Sequence, residues 1–192
     1  MNRRGAHAHQ LRIIGGQWRG RRWSFPELPG LRPTPDRVRE TLFNWLAPVL
    51  PGARCLDLFA GSGALGLEAL SRGAASVTFV ERQPVAARAL RDTLRLLNAQ
   101  DAQVETADAS HWLRRAAMPF EIVLLDPPFG QGLLEPICTI LEMEGWLSAS
   151  AWIYLEAEAA AERLVLPENW VLRREKTAGV VSYRLAHRQG AA

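Results

Sequence analysis

Asp126-Pro127-Pro128-Phe129 closes the apolar run Ile122-Val123-Leu124-Leu125. An acid, two prolines and an aromatic at a strand end bring four things to one sheet edge. These are an acceptor side chain, backbone carbonyls whose following nitrogens carry no hydrogen, a rigid turn and a flat face for stacking. The set suits capture of a planar group with an exocyclic NH2, such as adenine or guanine. Hydrogen bonds from that amine to Asp126 Oδ and the Pro127 carbonyl would favour a pyramidal nitrogen, whose localised lone pair can attack an electrophilic methyl in line. Asp126 or water can take the released proton, and Phe129 can stack on the ring. An ordinary rigid turn is the bland alternative for the tetrapeptide alone.

A second signal precedes it, Asp57-Leu58-Phe59-Ala60-Gly61-Ser62-Gly63, where a strand hands over to a helix. Gly61 and Gly63 let the backbone turn sharply and approach a ligand, and the helix N-terminus behind them offers free N–H groups to a carboxylate or phosphate. Gly61, Gly63 and Gly66 also fit dinucleotide spacing, so the glycines alone do not decide. Asp57 does, since it would repel a pyrophosphate and welcome an ammonium. S-adenosylmethionine carries that ammonium together with a carboxylate for the helix end. Glu81 closes the next strand and can accept from both ribose hydroxyls. Asp108, after the third strand, can accept from an adenine amine, with backbone contacts from Ala107 or Ala109; a plain helix N-cap ahead of Ser110 is the competing role.

The elements that must hold these loops follow from periodicity. Strand patterns cover Cys55–Phe59, Val77–Glu81, Val104–Ala107, Ile122–Leu125 and Trp152–Glu156. Helical patterns cover Ala64–Ser71, Pro84 to about Leu97, a short turn through Trp112 and Leu113, and Leu133–Met143. Such alternation predicts an α/β fold with a doubly wound, mostly parallel sheet and helices on both faces. Trp170–Lys176 and Val180–Ala186, joined by Thr177-Ala178-Gly179, predict an antiparallel hairpin at its edge. Ahead of the sheet, Thr34 reads as the N-cap and Pro35 as the first residue of a helix carrying Val38, Leu42, Trp45 and Leu46 on one stripe. Leu11–Phe25 reads as two short strands around a Gly15-Gly16 turn. Ligands in such sheets sit at the carboxyl ends of the strands where strand order reverses. If the first and fourth strands flank that point, Gly61–Gly63 and Asp126–Phe129 meet there.

The chain has 192 residues, enough for one α/β domain and a small appendage. Its cysteines, Cys55 and Cys138, and its four histidines form no disulfide framework or metal spacing, so no metal is expected. No apolar run approaches membrane-spanning length, and no apolar stretch follows the charged N-terminus, so a cytoplasmic protein without a membrane partner is expected. The net charge of +3 hides an asymmetry, because residues 1–32 hold seven arginines and a single acid, Glu27. A basic arm on a mildly acidic body predicts a polyanionic partner contacted at one place. Arginine supplies all but one of the basic residues, which favours forked phosphate contacts. The expected organisation is a flexible basic tail over 1–10, a β-hairpin arm over 11–33, the α/β domain over 34–187 and a C-terminal tail over 188–192.

Gln10–Gly20 (QLRIIGGQWRG), Leu31–Leu46 (LRPTPDRVRETLFNWL), Leu56–Arg72 (LDLFAGSGALGLEALSR) and Asp126–Phe129 (DPPF) together resemble the bacterial 16S ribosomal RNA guanine-N2 methyltransferases of the RsmD type. Arg174-Glu175-Lys176, Ala178-Gly179 and Tyr183-Arg184-Leu185 extend the likeness, which runs from about residue 10 to 186. The tetrapeptide is shared by many amino-group methyltransferases; its combination with the N-terminal blocks is more specific.

The resemblance implies a class I, Rossmann-like S-adenosylmethionine-dependent fold with a seven-stranded sheet. It implies methylation of a guanine N2 in the helix 31 loop of 16S rRNA on the 30S subunit, with S-adenosylhomocysteine as product. Asp126, Pro127 and Phe129 match the catalytic turn; Asp57, Gly61, Ser62 and Gly63 the cofactor loop; Glu81 the ribose acid; and Asp108 with Ala109 the adenine side. Thr34 and Arg37 match a segment that closes over the cofactor. Gln83 and Gly130-Gln131 depart from the family pattern, which elsewhere can carry an acid and basic residues there. That shifts RNA contact to the arm, where Arg12, Trp18, Arg19, Arg21, Arg22 and Trp23 are expected to grip phosphates and stack on bases. A monomer is expected. The competing readings are a DNA adenine-N6 methyltransferase, a cofactor-holding RNA-binding or ribosome-assembly factor without catalysis, and a small-molecule or protein-glutamine methyltransferase.

Overall fold

The computed structural model describes residues 8–28, 33–160 and 164–190. Strands β3 (Arg54–Asp57), β4 (Ser76–Glu81), β5 (Ala102–Thr106), β6 (Phe120–Leu125), β7 (Leu147–Glu158), β8 (Trp170–Ala178) and β9 (Val181–Arg188) form one sheet in the order β5-β4-β3-β6-β7-β9-β8. The pairs from β5 to β7 are parallel, whereas β9 runs antiparallel to both β7 and β8. The central strands read as unbroken apolar runs because both of their faces are covered; Cys55, Leu56, Val123 and Leu124 have no exposed surface.

Two layers cover the sheet. Helices α1 (Asp36–Leu46), α2 (Ala64–Ser71) and α3 (Pro84–Leu96) pack on one face around Leu42, Phe43, Leu67, Phe79, Leu90 and Leu124. Helices α4 (Ala109–Trp112) and α5 (Leu134–Met143) cover the other, around Leu56, Val123, Ile137, Leu141 and Trp146. α3 is amphipathic, with Ala86, Ala87, Leu90, Thr93 and Leu94 turned inward at helical spacing. α2 is buried on every side, since the sheet lies on one flank and the N-terminal segment on the other.

That segment is a two-stranded hairpin, β1 (Ala8–Arg12) with β2 (Arg22–Pro26), paired from Ala8↔Pro26 to Arg12↔Arg22. The expected tail over 1–10 is therefore corrected at its end, where residues 8–10 already belong to a strand; residues 1–7 lie outside the described set. Gly15-Gly16 is not a tight hairpin turn either. Gly15 N–H donates to Glu68 Oε1 at 2.8 Å, and Gly16, at φ +77°, presses so close to the Ser71 carbonyl that a Cβ would overlap it. The glycines let the arm lie flat on α2.

Element ends move by one to several residues from expectation. β7 begins at Leu147 rather than Trp152, β9 extends to Arg188 into the stretch expected as tail, and β8 and β9 meet across Gly179-Val180. Thr34 is not the N-cap of α1. Pro35 holds that position without a side-chain cap, because the Thr34 hydroxyl is committed elsewhere.

Candidate active site

β3 and β6 are neighbours, joined from Cys55↔Ile122 to Asp57↔Leu124, and strand order reverses between them. The loop after β3 and the turn after β6 therefore open at one edge, as the switch-point rule requires. The Leu58 N–H donates to the Leu124 carbonyl at 3.2 Å and fixes the two loops side by side.

The loop after β3 is braced from three sides. Gly63 caps α2 with a left-handed φ of 78°, and Gly61 also has positive φ, at 51°. The Gly61 N–H donates to Glu81 Oε2 at 2.7 Å, and the Gln83 N–H to Oε1 at 2.6 Å. Glu81 thus ties the loop to the end of β4, and its carboxylate still has lone pairs for a further donor. From the arm, the Trp23 indole N–H donates to the Ser62 carbonyl at 2.9 Å. Trp23 is 7% exposed, so its expected stacking on RNA is corrected: it is an internal brace of the loop.

The brace is anchored by a buried polar network on α2. Glu68, fully buried, accepts from the backbone N–H of Ile14 and Gly15 at 2.9 and 2.8 Å, and pairs with Arg39 at 3.4 Å and Arg72 at 2.7 Å. Arg39, also buried, reaches Asp36 Oδ1 at 2.6 Å and the Arg12 carbonyl at 3.1 Å. The Trp18 N–H donates to Ser71 Oγ at 3.0 Å, whose hydroxyl donates to the Gly15 carbonyl at 2.6 Å. Sequence periodicity gave no sign of this network, because a glutamate within an apolar helix reads as its exposed face.

Four acids gather beneath the loops. Asp57 is 2% exposed, and its Oδ2 accepts from the Gly66 N–H at 2.9 Å. Burial pushes its carboxyl up to about 7, the Gly66 N–H pulls it down, and the negative charge of Glu81 adds to the rise. Asp126 keeps a little surface open, and its Oδ2 accepts from Thr34 Oγ1 at 3.3 Å. Its carboxyl stands well above the ordinary range, chiefly through burial, then through Glu156 and Asp57; the Thr34 bond works against the rise. Glu156, two residues before the end of β7, was not singled out from sequence. It is 4% exposed and accepts from the Tyr154 hydroxyl at 2.7 Å. Its carboxyl is raised by burial and held down in part by that hydroxyl. Register explains the gathering: Leu125 pairs with Leu155, so Asp126 and Glu156 are the next residues on adjacent strands.

The remaining expected residues are spread around this corner. Pro127 is buried and Phe129 is 37% exposed, its ring at the mouth of the turn. Asp108 is the N-cap of α4, where Oδ1 accepts from the Ser110 and His111 N–H groups at 3.0 and 3.2 Å; Ala109 behind it is buried. The Ala107 N–H is taken by the Glu81 carbonyl at 3.1 Å. Arg37 is exposed on the first turn of α1. Arg19, Arg21 and Arg22 are exposed without ion pairs among the described residues, Arg12 is paired with Asp36 at 3.1 Å, and Trp18 is half-buried against the core. Among the described residues no group of three candidate metal ligands occurs, and no helix is long and apolar enough to cross a membrane.

What the corner offers chemically is a carboxyl with high proton affinity beside a proline carbonyl and an exposed aromatic ring. Next to it lie a helix N-terminus and a buried acid that has no cation among the described residues. Comparison with known proteins gives this arrangement a context. The family described as Conserved hypothetical protein 95 matches residues 11–187. A curated relative from Escherichia coli (strain K12), the Ribosomal RNA small subunit methyltransferase D, is 54% identical over 94% of this chain and 91% of its own. The Haemophilus influenzae protein of the same name is 47% identical over 92% and 93%. The solved structure of the Escherichia coli protein yhhF superposes with a TM-score of 0.87 at 52% identity, covering 95% of this chain and all of that one.

Proposed function

We propose, from the plain premise that this chain belongs to the Conserved hypothetical protein 95 family of RsmD-type methyltransferases, that it methylates the exocyclic N2 of a guanine in 16S rRNA. The target we infer is the loop of helix 31 in the assembled 30S subunit, modified by a cytoplasmic monomer. One observation supports this reading above the others: Asp126-Pro127-Pro128-Phe129 opens directly beside the Gly61–Gly63 loop across the β3–β6 pair.

The residues around the loop fit S-adenosylmethionine. Asp57 is a buried carboxylate without a cationic partner among the described residues, and an ammonium would supply one. The α2 N-terminus behind Gly63 suits a carboxylate, Glu81 keeps acceptor capacity for ribose hydroxyls, and Asp108 Oδ2 is free of the capping bonds made by Oδ1. When bound, the cofactor supplies an electrophilic methyl on a sulfonium. Thr34 and Arg37 sit where the chain approaches the same corner from α1.

The chain's own part in the chemistry is positional. Asp126 and the Pro127 carbonyl accept the two amine hydrogens and orient the nitrogen lone pair, while Phe129 stacks on the base. As the nitrogen becomes cationic, the acidic corner stabilises the growing charge. Asp126, with its raised proton affinity, then takes the proton the amine must lose and passes it to water. The exposed arginines at 19, 21 and 22 hold the RNA by its phosphates.

The test is direct. Protein incubated with labelled S-adenosylmethionine and unmodified 30S particles, naked 16S rRNA or DNA is expected to label the particles, and nucleotide mapping is expected to find N2-methylguanine. Asp126→Ala is expected to lose methyl transfer while keeping cofactor affinity. Label on DNA adenine would favour the adenine-N6 reading, and an Asp126→Ala variant of full activity would remove this corner from the chemistry.

A further inference from the structure

Arg174 and Lys176 belong to a stretch singled out in the sequence, yet the methyl-transfer corner leaves them unused. β8 is the edge strand of the sheet. Its register puts Lys176 opposite Tyr183, which in turn stands opposite Glu156; Arg174 is opposite Leu185, which stands opposite Tyr154. Directly paired residues share a face of a sheet. Tyr183, Leu185 and Tyr154 all belong to the core that α1 and the N-terminal arm cover. Arg174 and Lys176 therefore lie in the layer of α1 and the arm, and Lys176 is level with the buried acids of the active corner.

Nothing among the described residues covers that part of the layer. α1 covers β9 next to it, where Trp45 stacks on Tyr183 with ring centroids 5.5 Å apart. Arg173, Arg174 and Lys176 are exposed and form no ion pair with a described carboxylate. Glu175, the one acid between them, pairs with Arg184 at 2.6 Å, and these two partners stand opposite each other on the other face. Arg174 uses one N–H on the Arg173 carbonyl at 2.9 Å, leaving the rest of its guanidinium fork free. The hairpin turn at Gly179-Val180 projects at the end of the sheet where β7 finishes, since Glu158 pairs with Val181. Val180 there is 72% exposed.

We propose that Arg174 and Lys176 form a second phosphate-binding strip for the RNA substrate, across the active corner from the N-terminal arm. The proposal rests on the rRNA reading above and extends it. The substrate is held at two places: Arg19, Arg21 and Arg22 grip one side, and the β8 strip grips the other. The target base enters between them, over the N-terminal end of α1. A polyanion is the partner that the geometry favours, because Arg174 and Lys176 line one open edge on a shared face, and neither is neutralised by an acid of β8 or β9. Cationic side chains on an edge strand can also serve merely to block strand-to-strand association, and the experiment separates the two roles.

Arg174→Gln/Lys176→Gln is compared with wild type for binding to unmodified 30S particles, or to the 16S rRNA they contain, from 0.05 to 0.3 M salt. Each lost phosphate contact removes roughly 0.7 to 0.9 from the slope of log affinity against log salt. The double variant is expected to have a slope shallower by about 1.4 to 1.8, and affinity at 0.15 M salt lower by roughly tenfold or more. Its S-adenosylmethionine affinity and urea midpoint are expected to stay at wild-type values. An unchanged slope in the double variant, where wild type methylates the particles, overturns the strip while leaving the function intact. Self-association of the variant with an unchanged slope marks β8 as an edge guard and also overturns it. A wild type that methylates no rRNA overturns both.

Discussion

Asp57 is the residue at which ligand binding and fold stability pull in opposite directions, and Asp57→Asn exposes the conflict. In the folded chain its carboxyl is raised from 3.8 to about 7, mainly by burial. An acid raised on folding contributes stability that is complete below its unfolded value and is lost as pH rises through its folded value. The loss therefore accumulates between about pH 4 and pH 7. At roughly 1.4 kcal/mol per pH unit, the full rise sets a ceiling of about 4 kcal/mol, of which about 3 kcal/mol accrues between pH 5 and pH 8. Asparagine removes the titration. Its amide oxygen can still accept the Gly66 N–H, while its NH2 replaces an oxygen that accepts no hydrogen bond from any described residue. That unpaired donor costs roughly 1–2 kcal/mol at every pH.

The expected outcome is a strong pH dependence. Measured by urea denaturation of ligand-free protein, Asp57→Asn is equal to wild type or less stable by up to about 1 kcal/mol at pH 5, and more stable by about 2–3 kcal/mol at pH 8. The difference between the two pH values is the sounder quantity, since the amide penalty cancels from it. S-adenosylmethionine at saturating concentration is expected to stabilise wild type at pH 8 and to stabilise the variant far less, because the ammonium partner has gone. A stability difference that stays constant from pH 5 to pH 8 would refute the reasoning. It would mean that Asp57 either ionises freely in the folded chain or finds a cation there.

Two further perturbations probe the neighbouring groups. Glu156→Gln keeps an acceptor for the Tyr154 hydroxyl but removes a negative charge next to Asp126 that helps to raise its carboxyl. The acid limb of the kcat–pH profile is expected to move to lower pH with the KM for cofactor unchanged, and a stationary limb would detach Glu156 from Asp126. Glu68→Ala leaves buried Arg39 with Asp36 as its one acid and strips Ile14 N–H, Gly15 N–H and Arg72 of their acceptor, so a loss of about 3–5 kcal/mol in urea denaturation is expected. Limited proteolysis is expected to cut first between residues 12 and 22, and cleavage no faster than in wild type would show that other contacts hold the arm.

The sheet was legible because apolar runs alternate with helical stripes, and the meeting of the loop with Asp126 followed once the first and fourth parallel strands were taken as neighbours. Trp23 was misread for a physical reason: a tryptophan between arginines looks the same whether it stacks on a base or plugs a core, and only the Ser62 carbonyl 2.9 Å from its indole nitrogen tells them apart. Thr34-Pro35 matched a helix start so well that the competing use of the hydroxyl, on an acid 92 positions later, left no local trace. Glu68 was hidden by the same local logic: Arg72, four residues on, made it look like half of an ordinary surface pair, and its partners from the arm and α1 have no periodic relation to it.

Glu156 differs from these, because its signal was present. β3, β4 and β7 each carry an acid at or near the end of an apolar stretch, at Asp57, Glu81 and Glu156, and Asp126 follows β6 directly. Asp57 and Asp126 were singled out with the loop motifs they open and Glu81 by its place at the end of the next strand; Glu156 has no such motif after it, since Ala157-Glu158 follows without glycine or proline. Their shared trait is thermodynamic rather than local. An ionised acid that ends a buried strand costs folding energy unless a cation meets it; each of the four has a neutral donor, but among the described residues none pairs with a basic side chain. Four such costs on four adjacent strands, all at one edge, argue for a ligand that brings positive charge and hydrogen-bond donors. A sulfonium amino acid with a ribose, together with an amine that becomes cationic as it reacts, meets that description.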